Sequence, residues 1–495
     1  MKDRVNQDIG TKEQLQDWDS IDWKLVEKRV KNLRQRIFRA TQERQWKKVR
    51  SLMKLMIRSY SNLLQSVRKV TQENKGKGTP GIDRRVVLTS KSRAKLVREL
   101  SKHALWKTSP GRRVYIPKAN GKRRPLGILT ISDRATQAII KNALEPSWEA
   151  RFEAHSYGFR PGRSCHDAIE QCWIRLNRHC KDRWVLDADV RAAFDNISHQ
   201  FILDQIGNVP GRELIKQWLK AGYVEEEIFH ATDSGVQQGG VISPVLANIA
   251  LDGLGEFLGR NFGFIRYADD FVVTAKSKED LEEVKPKIER WLEQRGLALN
   301  DEKTRISSIN DGFDFLSFHI RHFNGKCFTK PQKEKVLAFV SRIKTWLNKH
   351  RSSTQENVIR SLNLIINGWA NYYRHAVSKQ VFSYVDHRIW KLLWSWCLRR
   401  HPEKGKRWVR DKYFTTKKTR QWSFFAKSQD RHGNQRNLYL VHLSDIPIRR
   451  HAKVAGTASP DDPSLREYWT KRKKKTNSED NKLEATTADL GKQRA

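Results

Sequence analysis

Phe264-Ile265-Arg266-Tyr267-Ala268-Asp269-Asp270-Phe271-Val272-Val273-Thr274 is the stretch on which the reading of this 495-residue chain turns. Two apolar half-runs, rich in β-branched and aromatic residues, flank a pair of adjacent carboxylates. The pattern predicts two strands in a tight hairpin, with Asp269 and Asp270 at or beside its turn. Buried strands that press like charges together are costly unless a cation neutralises them. A divalent ion with all-oxygen ligation, Mg²⁺ first, meets that need. A plain surface hairpin with an Asp-Asp turn is the alternative, and the hairpin alone does not separate the two.

A second carboxylate segment lies upstream. Trp184-Val185-Leu186-Asp187-Ala188-Asp189-Val190 reads as a strand and runs into Arg191-Ala192-Ala193-Phe194-Asp195-Asn196. Period-two alternation puts Val185, Asp187 and Asp189 on one face and Trp184, Leu186, Ala188 and Val190 on the other. A mostly apolar strand ending in Asp189 fits beside the hairpin, where Asp189, Asp269 and Asp270 converge. Carboxylates from separate strands can share two metals ~3.5–4 Å apart, which is machinery for in-line phosphoryl transfer.

Composition narrows the partners. Lys and Arg total 96 against 55 Asp and Glu, a formal charge of +41, so a polyanion is favoured, nucleic acid before a membrane surface. No apolar run is long enough to span a bilayer and no signal-peptide pattern opens the chain, so a secreted or membrane protein is not expected. The five cysteines are scattered without a C-x-x-C pair, which argues against a disulfide framework and suits a reducing compartment. Cys165, Cys172, Cys180, His166 and His179 match no zinc spacing and read as packing or surface residues.

Met1 to Asp22 is polar and reads as loosely ordered. Val26, Val30, Leu33 and Ile37, then Trp46, Val49, Leu52, Met53 and Met56, recur at helical spacing with basic residues between them. Asn74 to Asp83 is a Gly/Pro-dense loop. Arg112 to Lys118 and Lys122 to Ile128 flank Asn120-Gly121, a hairpin signal. Its Lys118 and Arg124 suit triphosphate oxygens, one as a point charge and the other as a fork. Ser132 is the expected N-cap of a helix running to Glu145, with Asp133 in its first turn. Arg160 and Arg163, in the turn-rich Ser156 to Ser164, are candidate phosphate contacts, with surface charges as the alternative. Gly239 and Gly240 let backbone approach a ligand closely, and Gln238 beside them can meet a nucleotide or template base. From Lys330 three amphipathic helices follow, carrying Val336 to Leu347, Val358 to Trp369 and Phe382 to Trp396. Arg399 to Trp408 and Pro447 to Lys453 interleave bases with aromatics, as phosphate contacts plus stacking require.

Tyr267-Ala268-Asp269-Asp270, with Asp189 to Phe194 before it, resembles the catalytic core of a reverse transcriptase. From about Asn74 to about Arg472 the ordered blocks resemble the group II intron-encoded reverse transcriptase/maturases, in the form that lacks a C-terminal endonuclease. The resemblance implies an α+β fold, a right-hand polymerase with fingers and palm, a helical N-terminal extension, a three-helix thumb and a basic C-terminal DNA-binding region. The implied divisions are 1–72 for the extension, 73–180 for the fingers, 181–329 for the palm, 330–398 for the thumb or maturase domain, 399–472 for the DNA-binding region and 473–495 for a disordered polar tail.

The resemblance also implies roles. Asp189, Asp269 and Asp270 are catalytic and, with Val190, hold two Mg²⁺ ions, for which Mn²⁺ can substitute. Lys303, in Leu297 to Thr304, matches a motif lysine that protonates the leaving pyrophosphate. Phe194 matches the bulky residue that rejects a ribonucleotide's 2′-hydroxyl. Gly312 to Phe318 matches the primer grip, with Ser317 where relatives often have Gly. Val236-Gln237 replaces a usual Thr-Pro, which leaves the loop shape open. Tyr267, Trp369, Tyr372, Arg400, His401, Lys406, Arg450 and His451 join Arg160, Arg163 and Gly239 as nucleic-acid contacts. The implied activity is RNA-directed DNA synthesis, with splicing assistance to a group II intron RNA and mobility by target-primed reverse transcription. The implied partners are that intron RNA, target DNA, an RNA template with DNA primer, and deoxynucleoside triphosphates. The implied setting is a bacterial cytoplasm near the nucleoid, or an organelle. An RNA-binding splicing maturase without polymerase activity is the alternative. Second-strand DNA cleavage is not expected.

Overall fold

The computed structural model describes residues 17–102, 107–117, 121, 123–429 and 434–474. Lys118, Asn120, Lys122, most of the region expected to be a loose N-terminal segment and nearly all of the expected polar tail lie outside them.

Three helices open the described chain: α1 (Trp23–Gln42), α2 (Trp46–Arg58) and α3 (Tyr60–Arg68). Asp22 caps α1 by accepting from the Leu25 N–H, and Val26, Val30 and Ile37 are buried at the predicted spacing. The segment before it is less loose than its polarity implies. Trp18 is buried, its ring 5.0 Å from that of Trp23. After α4 (Ser90–Ser101) come β1 (Gly111–Pro117) and β2 (Arg123–Ile128), the expected antiparallel hairpin, with Arg113 opposite Gly127 and Ile116 opposite Arg124.

Helix α5 (Ile131–Glu149) starts earlier than expected. Thr130, not Ser132, is the N-cap, because its hydroxyl both accepts from the Asp133 N–H and donates to the Asp133 carboxylate. Reciprocal bonds satisfy two groups at once and outcompete a single serine cap. The Gly/Pro-dense loop is pinned to this helix: Arg134 donates to the carbonyls of Gly76 and Thr79.

The chain continues through α6 (Cys165–Leu176), β3 (Trp184–Asp189), α7 (Ala193–Asn196), α8 (His199–Ile206), α9 (Arg212–Lys220), β4 (Tyr223–Glu225), β5 (Ile228–His230), α10 (Ser243–Ala250) and α11 (Leu254–Leu258). The hairpin of β6 (Gly263–Tyr267) and β7 (Asp270–Ala275), helix α12 (Lys278–Glu293) and β8 (Arg305–Ser308) complete the centre. Two four-stranded sheets result, ordered β2-β1-β4-β5 and β6-β7-β3-β8.

In the second sheet every pairing is antiparallel, and each face meets its own core. Val185, Ile265 and Val272 pack towards α6 and the C-terminal half. Leu186, Ala188, Phe264, Phe271 and Val273 pack towards α10 and α12. Burial on both faces explains why the half-runs of the hairpin are continuously apolar rather than alternating.

A three-stranded sheet of β9 (Phe313–Phe315), β10 (Phe318–Phe323) and β11 (Lys326–Pro331) follows. Its first turn holds Leu316 at φ 48° and Ser317 at φ 69°, the backbone region where glycine is at ease. Helices α13 (Lys333–Lys349), α14 (Gln355–Tyr373) and α15 (Lys379–Arg400) bury the predicted apolar faces. Helix α16 (Lys406–Tyr413) leads into an unforeseen meander of β12 (Phe414–Lys417), β13 (Arg420–Gln429) and β14 (Gln435–Tyr439). Asn363 ties it to α14 by donating to the Tyr439 carbonyl and accepting from the Val441 N–H. Among the described residues no helix is long and apolar enough to cross a membrane.

Candidate active site

The turn between β6 and β7 has two residues, Ala268 and Asp269, closed by the Tyr267–Asp270 pair. Ala268 sits at φ 60°, which costs a non-glycine residue about 1–2 kcal/mol. Its neighbours hold it there. The buried Arg266 guanidinium donates to the Ala268 carbonyl at 3.1 Å and to Asn248 Oδ1 at 3.0 Å. Asn248 in turn donates to the Gly158 carbonyl at 2.9 Å. Gly158 packs so closely on the turn that a Cβ there would lie 2.3 Å from the Ala268 nitrogen. Phe159 (φ 60°) and Ala192 (φ 44°) are strained nearby, and such outliers gather at functional sites. Arg266 and Asn248 were not among the candidates. A lone arginine inside an otherwise apolar strand was the signal available.

The carboxylates do come together. Asp189 and Asp270 are direct partners across the β3–β7 ladder, and Asp269 stands in the adjoining turn. Burial raises the Asp270 carboxyl to about 8, helped by the Asp269 charge and by a hydrogen bond and charge from Asp189. Burial also raises Asp269, and Asp189 adds to it, while Arg124 and Lys303 pull the other way. Asp187, on the same face of β3, is pushed up to about 7 by burial and then by Asp314 and Asp189. Asp189 accepts from Lys303 Nζ at 2.6 Å and from Asn300 Nδ2 at 3.2 Å, and its carbonyl accepts the Asn300 N–H at 2.8 Å. Asn300 is a third residue that sequence reasoning passed over. The Val190 side chain is buried and carries no donor atom, so only its main chain can serve a metal.

Among the described residues no three His, Cys, Asp or Glu side chains form a ready-made metal cage. The donor set nonetheless fits a divalent cation. Asp269 in the turn and Asp189 and Asp270 beside it crowd together, and the cation that touches Asp189 is an exposed lysine, its side chain 62% accessible.

Phe194, on α7, meets Phe159 edge-on at 6.2 Å. With Asp195, Arg113, Gly127, Gln237 and Gln238 it lines a cavity of about 300 Å³. Gln238 Nε2 donates to both Asp195 carboxylate oxygens at 3.1 Å. Gly239 is at φ 108°, and a Cβ there would lie 2.7 Å from the Gly127 carbonyl. Arg124 stands exposed on β2, and its charge reaches Asp269.

Most of the expected nucleic-acid contacts are placed differently. Arg160 is not on the surface: it is buried against Glu149 at 3.0 Å and donates to the carbonyls of Glu153 and Ser156. Arg163 donates to the carbonyls of Ala154 and Gly456. Trp369 stacks on Phe339 at 4.6 Å, and Tyr372 stacks on Phe318 and donates to the Leu316 carbonyl, so both belong to a seam inside the protein. Arg400 donates to the carbonyls of Arg351 and Ser353, closing the α13–α14 turn. His401 bonds the Tyr413 hydroxyl at 2.8 Å. Arg450 pairs with Glu170 and lies over the Trp173 ring, and His451 pairs with Asp167 at 2.9 Å. In each case a tertiary partner, invisible to local pattern, contacts the cation or ring, although the Arg450 side chain stays exposed. Tyr267 is half-buried at the end of β6, while Lys406 is exposed in the first turn of α16.

Residues 116–320 match the reverse transcriptase (RNA-dependent DNA polymerase) family. Residues 18–100 match the N-terminal domain of reverse transcriptase, and 336–414 the maturase-specific domain of group II introns. Protein YkfC of Escherichia coli K12 is 33% identical over 291 residues, covering 49% of this chain and 76% of that protein. The group II intron-encoded protein LtrA of Lactococcus lactis is 27% identical over 383 residues, covering 57% of this chain and 63% of LtrA. Among solved structures, telomerase from Candida albicans in complex with a fragment of telomeric RNA aligns with a TM-score of 0.36 at 12% identity, over 61% of this chain and 64% of that one.

Proposed function

Because this chain belongs to the family of group II intron-encoded reverse transcriptases and maturases, we propose that it copies RNA into DNA and binds a group II intron RNA to assist its splicing and mobility. The observation that carries the reading is the pairing of Asp189 with Asp270 across one ladder, with Asp269 in the turn beside them.

Asp189, Asp269 and Asp270, with the Val190 main chain, are the residues that would hold two divalent ions, Mg²⁺ with Mn²⁺ as substitute. Such ions, when bound, activate the primer 3′-hydroxyl and neutralise the triphosphate. The residues around them do the remaining work. Arg124 and Lys118 bind triphosphate oxygens. Phe194 fills the space a 2′-hydroxyl would need, so deoxynucleotides are selected by steric clash. Gln238 releases Asp195 to meet the incoming nucleotide or its template partner. Lys303 leaves Asp189 and delivers its proton to the departing pyrophosphate. Lys406 and the basic faces of the C-terminal helices take the phosphates of intron RNA and target DNA.

Primer extension on an RNA template with Mg²⁺ and deoxynucleotides tests the reading, comparing wild type with Asp269→Ala. Wild type extends the primer and the variant does not, while both support splicing of the intron RNA. Equal extension by the two proteins, or none by either, removes the assignment.

A further inference from the structure

Gly127 of β2 stands opposite Arg113, Gly111 lies two residues earlier on β1 at the base of the same hairpin, and neither glycine has a positive φ. Their backbones therefore do not demand glycine. What excludes a side chain is one residue. A Cβ on Gly111 would lie 1.5 Å from Gln237 Nε2, and a Cβ on Gly127 would lie 2.4 Å from Gln237 Cγ. For both glycines the three nearest obstructing atoms all belong to Gln237.

The Gln237 side chain thus lies across the hairpin in a slot made by two missing side chains. Its Nε2 is buried and has no acceptor, so fit rather than a bond from that nitrogen keeps it there. Its carbonyl is fixed from the other side by the Gly240 N–H at 3.0 Å and the Ser243 hydroxyl at 2.8 Å. The residue after it is joined to the hairpin directly, since Gly127 donates its N–H to the Gln238 carbonyl at 2.7 Å. The residue before it reaches the palm, since the Val236 N–H donates to the Phe194 carbonyl at 2.6 Å. One short segment therefore connects the hairpin that carries Arg124, the Gln238 side chain and the main chain of Phe194.

We propose that Gln237 is a positioning residue for nucleotide selection: its side chain, wedged against Gly111 and Gly127, sets the distance between the fingers hairpin and the Phe194–Gln238 wall of the cavity. The inference rests on the polymerase reading above and concerns how that site is gauged. Filling the slot from the glycine side pushes hairpin and wall apart, and emptying it from the glutamine side makes room for the intruding methyl group.

The test is steady-state primer extension by the full chain, with deoxynucleotide and ribonucleotide substrates, for wild type, Gly127→Ala, Gly111→Ala, Gln237→Ala and the two Ala/Ala double variants. Gly127→Ala raises the deoxynucleotide KM ~10-fold with a smaller change in kcat and narrows the preference over ribonucleotides. Adding Gln237→Ala to either glycine variant recovers most of that loss. Should Gly127→Ala not fold, recovery of folding and activity in the double variant carries the same meaning. A Gly127→Ala protein with wild-type KM and selectivity overturns the wedge, as does a double variant no better than the single while Gln237→Ala itself folds. Absence of extension by wild type strikes the polymerase reading instead, and is thereby told apart.

Discussion

Asp270 and Asp167 are both aspartates drawn out of water, and the protein treats them in opposite ways. Burial acts to raise both. At Asp167 it is overcome: His451, the Val454 N–H and Arg472 hold the carboxyl well below the usual carboxylate range, and Ser164 supplies two further donors. At Asp270 it is reinforced, because the nearest charges are the carboxylates Asp269 and Asp189. A carboxylate saturated by its own chain is a structural joint. Carboxylates crowded together, with Lys303 in contact with only one of them, make a site whose charge a divalent cation would neutralise. On the proposed reading, the contrast separates a functional acid from a structural one without reference to any motif.

The sharpest way to break the contrast is to neutralise each in turn. Asp270→Asn lowers primer extension by at least ~10²-fold while the melting temperature holds or rises, because crowding is relieved. A large drop in melting temperature would make Asp270 a structural joint after all. Asp167→Ala does the reverse. It leaves His451 and Arg472 facing an empty buried position, and urea unfolding should show a loss of about 3–5 kcal/mol. Next in size is the response to divalent ions. Mg²⁺ stabilises wild type by about 2.7 kcal/mol at a concentration 100 times its Kd, and Asp270→Asn loses most of that shift. Equal shifts in the two proteins would place the ion elsewhere.

The smallest effect is in pH. The folded Asp167 carboxyl is depressed, so its contribution is complete above the unfolded value of ~3.9 and is lost as pH falls through that value towards the folded one. The protection factor of the Val454 amide, which donates to Asp167, should therefore fall below about pH 4. In Asp167→Asn that acid dependence disappears. An unchanged slope in the variant would assign it to other carboxylates.

What was legible in the sequence is what local rules govern. The hairpin and β3 announced themselves by apolar runs around Asp189 and Asp269, and the faces of α13 to α15 by helical spacing. Residues whose partners lie on another element could not be placed from local pattern. Arg160 reads like any basic loop residue, but its partner Glu149 lies on a helix that is buried almost throughout. Glu145 and Glu149 in that apolar helix were a usable sign, since buried charges require partners. Trp369 and Tyr372 have the composition of stacking platforms, yet the stacks they form are with the protein itself. Basic and aromatic content measures the capacity to bind nucleic acid, and topology decides which side chains are spent on the fold instead.

Residues 449–472 lie back against α6, and Asp461 meets Arg34 of α1 through two bonds of 2.8 and 2.6 Å. Partners 427 positions apart in the chain thus close the tertiary structure into a hoop. A hoop can be opened at a new point and remain one body. A cut in the exposed Glu226-Glu227 turn would leave two pieces still fastened at Arg34–Asp461, and that turn is where a rearranged order of the same chain should be tolerated.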